Sequence, residues 1–80
     1  MRTIKSITVG DRVAAIAQEK AAVARVPLTV GGHLLPSIEE YVVNLVHSLA
    51  PRYGLAEAEV EYAKSYALSK LAGGLVDAAL

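Results

Sequence analysis

Residues 26–38 read VPLTVGGHLLPSI, and this run constrains the fold more than any other stretch of the chain. Pro27 and Pro36 lack a backbone N–H and crowd the turn before them, so a helix reaching either one stops there. Between them, Gly31 and Gly32 permit the positive-φ turns that other residues avoid. The chain is thereby divided into an N-terminal segment, a connector over 26–36 and a C-terminal half. The connector is also free of formal charge, whereas a connection lying in water is normally polar. An apolar connector needs a surface to face.

Composition says where that surface comes from. The chain has 80 residues, no cysteine and a hydrophobic fraction of 54%, with a mean hydropathy of +0.40. A lone core of this size is marginal and usually needs disulfides, a metal or a partner subunit. Without cysteine there are no disulfides or thiolate sites, and two isolated histidines make no metal site. A small monomer has proportionally more surface to cover with polar atoms, so the apolar excess points to association with copies of itself. Membrane insertion is a poor alternative, because a spanning helix needs about 20 apolar residues and the longest uncharged run is broken by proline and glycine. The opening MRTIKSITVGDR lacks the apolar core of a secretory signal. No transmembrane segment and no export signal are expected.

The segment 3–10, TIKSITVG, is rich in β-branched residues with Ile4 and Ile7 three apart, and fits either a short strand or a helical turn. Asp11 can cap a helix over 12–25, with Val13, Ile16, Ala17, Val23 and Ala24 as its apolar stripe. ITVG at 7–10 and LTVGG at 28–32 are near-echoes that could pair as short strands flanking that helix. A second helix is predicted over 37–50, opened by a capping box between Ser37 and Glu40 and closed by Pro51. Its stripe is Ile38, Tyr41, Val42, Leu45, Val46 and Leu49, with Val43 and His47 on the opposite side. Gly54 precedes a third helix over 55–72, whose glutamates come early and lysines late, as the macrodipole favours. Val60, Ala63, Ala67 and Leu71 line one face of it, and Leu55, Ala58, Tyr62 and Tyr66 another. The tail LAGGLVDAAL carries one charge and should dock. The expected fold is one mainly α domain over 1–80: an antiparallel helical hairpin or a three-helix subunit with a Pro/Gly-rich connector. Two short strands can be accommodated, and oligomerisation completes the core.

Two apolar faces on one helix imply neighbours on two sides. Leu55, Ala58, Tyr62, Tyr66 and Leu71, with Leu75 and Leu80 of the tail, are therefore the expected subunit interface. Charge is unevenly spread. Residues 1–25 hold Arg2, Lys5, Arg12, Lys20 and Arg25 against Asp11 and Glu19, a balance of +3, while 37–63 hold five glutamates against Arg52, a balance of −4. The basic third can sit in solvent, meet glutamates of a neighbouring subunit, or contact the phosphates of double-stranded DNA without reading its sequence. Lys20 and Lys64 each interrupt an apolar stripe, where a lysine lays its methylenes on apolar surface and its ammonium in water or against an anion.

Catalysis has little to stand on. His47 and Ser48 are adjacent on a helix and point about 100° apart. His33 has no acid near it in sequence, neither GxGxxG nor GxxxxGK[ST] occurs, and Glu57, Glu59 and Glu61 scatter around their helix. No enzyme, cofactor or metal is expected. Stretches such as AAIAQEKAAVARV and LAEAEVEYAKSYALSKLAGG, together with the size of the chain, resemble the small alanine- and valine-rich helical coat proteins of rod-shaped or filamentous archaeal viruses. The resemblance implies a helical-hairpin subunit in a shell around double-stranded DNA, with basic residues facing the lumen of the virion. A single glutamine, Gln18, a single asparagine, Asn44, and no cysteine suit a thermophile. Two other readings stay open: a small dimeric or tetrameric helical DNA-binding or regulatory protein, and an adaptor subunit of a larger complex.

Overall fold

A computed structural model describes residues 2–73. In chain order they form α1 (Ile4–Ala24), β1 (Thr29–Val30), β2 (His33–Leu34), α2 (Pro36–Tyr53) and α3 (Glu57–Leu71). The start of α1 lies against the start of α3, where Thr3 meets Glu59, and against the end of α2, where Lys5 meets Gly54. The end of α1 lies by the start of α2, where Lys20 meets Tyr41. The three helices therefore run up, down and up.

Local chemistry sets each boundary, and several differ from the sequence expectations. α1 begins at Ile4, so TIKSITVG is helical and Asp11 lies inside the helix instead of capping it. The cap is Thr3, whose hydroxyl accepts the Ser6 N–H at 3.1 Å while the Ser6 hydroxyl oxygen accepts the Thr3 N–H at 2.8 Å. This reciprocal pair satisfies two otherwise orphaned donors and outweighs the β-branched bias of the segment. The far end closes with Arg25 in the left-handed region (φ 57°), which returns the Val26 N–H to the Ala21 carbonyl at 2.9 Å just before Pro27. With ITVG in α1, the short strands pair differently from the expected echo: Thr29 faces Leu34 and Val30 faces His33, antiparallel. Gly31 (φ 63°) and Gly32 (φ 82°) form the turn between them, the two positive φ angles that a tight hairpin needs.

α2 starts one residue early, at Pro36, and no side chain caps it, so the expected Ser37–Glu40 box does not form. Pro36 takes the first helical position, so Leu35 becomes the cap residue and Ser37 lies inside the helix. Nor does Pro51 close the helix. It sits inside the last turns of α2, which run to Tyr53 and end on Gly54 in the left-handed region. α3 spans Glu57–Leu71, slightly inside the expected 55–72.

The core is built from small residues. Val9, Val13, Ala17, Val42, Val46, Ala63 and Ala67 are fully buried, and valines are the bulkiest side chains among them. The stripe of α2 is met as expected: Ile38, Val42 and Val46 are buried, and Tyr41, Leu45 and Leu49 pack around them. On α1 the stripe is rotated, because Ala14 and Ala21 go inside while Val23 and Ala24 are exposed. Small residues also let α1 and α3 approach closely. A Cβ added at Gly10 would lie 2.7 Å from Tyr66 Cδ1 and 3.4 Å from the Ala63 carbonyl oxygen. Among the described residues no buried side-chain N or O atom lacks a hydrogen-bond partner.

Candidate functional site

Apolar surface is uncovered at both ends of α1: Ile4 is 86% exposed at its start, and helix lengths explain the exposure at its far end. α1 has 21 residues and α3 has 15, so from a shared starting end α1 runs on by about 9 Å at 1.5 Å per residue. At that overhanging end Val23 is 79% exposed, Val30 58% and Val26 38%. Beside them a groove of about 420 Å³ runs between α1 and α2, lined by Ile16, Glu19, Lys20, Val23, Ala24 and Tyr41. It continues over Ala21, Val26, Ser37 and Ile38 into a second hollow of about 160 Å³. No described α3 residue lines either one. The Lys20 ammonium lies 4.9 Å from the centre of the Tyr41 ring, so its stem covers apolar wall while its charge faces an aromatic surface.

Sequence reasoning placed Val23 in the core and missed this groove. The signal was the spacing of breakers: Pro27 lets α1 run from residue 4 to 24, whereas Gly54 and Gly73 confine α3 to a shorter span. A long helix against a short one exposes the end of its apolar stripe.

The five cations of the N-terminal third are all exposed, and among the described residues none forms an ion pair. They do not gather at one point. Arg2 precedes α1, Lys5 and Arg12 lie two turns apart on one side, Lys20 turns toward α2, and Arg25 is at the far tip. Lys5 donates to the Gly54 carbonyl at 3.2 Å, at the negative end of α2. Arg52, in the last turn of α2, adds an exposed cation at the same end of the molecule as Lys5. Lys64 sits 2.8 Å from Glu61 one turn away, and this ion pair holds the Glu61 carboxyl below its ordinary range.

The second face of α3 is partly occupied within the chain. Tyr66 rests on Gly10 and donates its hydroxyl to Asp11 at 3.0 Å. Lys70 reaches the same carboxylate oxygen at 2.7 Å, and these partners, Lys70 foremost, lower the Asp11 pKa. Tyr62 is half-buried with its ring 6.0 Å from that of Tyr66, Leu55 is half-buried against the core, and Ala58 is exposed. Leu71 is 4% exposed and belongs to the chain's own core, so it has no surface to offer a neighbour. Leu75 and Leu80 lie outside the described residues. Among the described residues there is no helix long and apolar enough to cross a membrane, and no cluster of His, Asp and Glu that could hold a metal.

The fold is thus a three-helix, up-down-up bundle carrying an apolar groove at one end. No protein-family model, curated protein or solved structure matches the chain.

Proposed function

We propose that this chain is a non-enzymatic, self-assembling structural subunit. One observation carries the reading: apart from Ile38 and Leu71, the buried apolar core is alanine and valine, while most leucines lie at its margin. Leu28, Leu34, Leu35, Leu45, Leu49, Leu55 and Leu68 are partly buried around it, each keeping some outward surface, and Val23 and Val30 stand in the open. A monomer gains most by burying its largest apolar groups, at about 25 cal/mol per Å² removed from water. A subunit reserves them for its neighbours. Leu28, Leu34 and Leu35 come from the uncharged connector, whose outer side then packs on another copy.

Light scattering on the purified chain tests this directly. Self-assembly gives a mass well above the 8.4 kDa of one copy, and ordered particles in negative stain are the form a coat subunit takes. An 8.4 kDa species over the whole accessible concentration range overturns the reading.

A second element of the proposal is contact with double-stranded DNA. Cations that are exposed and, among the described residues, form no ion pair support it. So does the lack of a helix dense enough in Arg, Asn and Gln to read base edges. Packaging of such DNA in a helical virion is the form that this takes for a coat protein.

A further inference from the structure

Apolar and charged features converge where α1 stops and α2 starts. Val23 and Val26 present apolar surface along the groove that Tyr41 and Lys20 line, and Val30 is exposed on the connector hairpin at the same end. Glu19, Lys20 and Arg25 on α1, with Glu39 and Glu40 in the first turns of α2, are exposed around this end. None of these five forms an ion pair among the described residues. Lys20 and Arg25 outnumber Glu19 at this end of α1, and Glu39 and Glu40 stand at the start of α2, so around the apolar centre they make a self-complementary set. A half-turn about an axis through the patch would bring Lys20 and Arg25 of one copy toward Glu39 and Glu40 of another, and the reverse at the same time.

We propose that this end of the molecule docks onto the same end of a second copy in an isologous, two-fold contact. The inference rests on the self-assembly reading and names the surface and the symmetry of one of its contacts. The exposed valines fill the apolar centre, where the groove gives a partner's side chains somewhere to enter. The charges form the rim, which fixes orientation more than it adds affinity. The uncharged connector meets its surface here, because its hairpin carries Val30 to the contact.

Valine replacement and charge reversal test different parts of the idea. Val23→Ser with Val30→Ser alters side chains that the single subunit already leaves exposed, so circular dichroism should stay helical. Association measured by sedimentation should weaken by roughly tenfold or more. Separately, Lys20→Glu with Arg25→Glu in one preparation and Glu39→Lys with Glu40→Lys in another place like charges across the axis, and each preparation alone should fall to a smaller species. Mixed in equal amounts they should recover the wild-type mass, since every reversed charge then faces its opposite. If the wild type assembles and the valine variant keeps its mass, this contact is wrong while self-assembly stands. Failure of the mixture to recover the wild-type mass overturns the two-fold charge seating. If Lys20→Glu with Arg25→Glu keeps the wild-type mass but loses salt-dependent retention on DNA, the surface serves phosphates instead. A wild type that is monomeric throughout sinks both readings together.

Discussion

Glu59 shows how much one side chain can organise. It is 7% exposed and stands in the first turn of α3, where it accepts the Ala56 N–H at 2.9 Å and the Thr3 hydroxyl at 2.5 Å. One carboxylate thus caps α3 and ties it to the residue that caps α1. The proton count closes. The Thr3 hydroxyl gives its hydrogen to Glu59 and accepts from Ser6 N–H, while the Ser6 hydroxyl donates to the Thr3 carbonyl at 2.9 Å. Two helix N-termini, each the positive end of its dipole, add to the preference for a negative group here. The Ala56 N–H first, and then the Thr3 hydroxyl, hold the Glu59 pKa below its ordinary 4.5. A depressed carboxyl pKa contributes stability that is complete above the unfolded value and lost as pH falls through the folded one. Glu59→Gln should therefore melt lower than wild type at neutral pH, with the gap closing as the pH drops below 4.5. Melting curves that stay parallel through the acid range would show that the ionised form carries nothing special.

At the scale of the elements, the seam between α1 and α3 is set by a missing side chain. Gly10 lies in the interior of a helix, where alanine ordinarily adds about 1 kcal/mol of helix propensity. Here the added methyl meets the Tyr66 ring at 2.7 Å, and overpacking of this sort costs about 1–3 kcal/mol. Gly10→Ala should consequently destabilise the fold by about 1 kcal/mol net. In a Tyr66→Ala background the obstacle is gone and the same change should become stabilising. Denaturant melts of the four proteins give the sign, and a stabilising Gly10→Ala with Tyr66 intact would refute the seam. Much of this level is legible in the sequence. The α2 stripe, the glycine turn, the three helices and the end of α1 at Pro27 follow from spacing and breakers. What stayed hidden depends on partners far along the chain. Asp11 looks like a cap until Lys70 and Tyr66 are seen beside it, and Gly10 looks like the end of a strand until α3 lies against it. Ser37 looks like half of a capping box, but Pro36 already occupies the first helical position. Of the candidate site, the five cations could be read from the sequence as an exposed set. The groove was missed, although the breakers set the helix lengths, because it also depends on α3 packing against α1 and stopping short of its end.

For the whole molecule, the five N-terminal cations divide along the axis of α1. Lys20 and Arg25 lie at the overhanging end with the exposed valines, while Arg2, Lys5 and Arg12 lie toward the opposite end with Arg52. This division lets the two proposed contacts be separated by mutation. Arg2→Gln with Arg12→Gln should leave the assembled mass unchanged. Retention on duplex DNA should weaken about equally on unrelated sequences, with the salt slope flattened by roughly 0.9 for each phosphate no longer neutralised. If the pair of changes breaks assembly with no DNA present, these cations instead meet glutamates of a neighbouring copy.

The joining of Thr3 to Glu59 and of Gly10 to Tyr66 also has a consequence in time. These contacts link segments separated by 56 residues, and with Lys70–Asp11 at 59 they demand the largest loop closures in the bundle. Adjacent helices can pair after short loops, so the α1–α3 seam is expected to close last, which refolding kinetics of seam variants would check. Interactions made after the transition state act on the rate of escape from the native state, not on the rate of arrival. The strain in Gly10→Ala should then appear as faster unfolding with nearly unchanged refolding, which makes the glycine a determinant of how long a subunit stays folded before its neighbours enclose it.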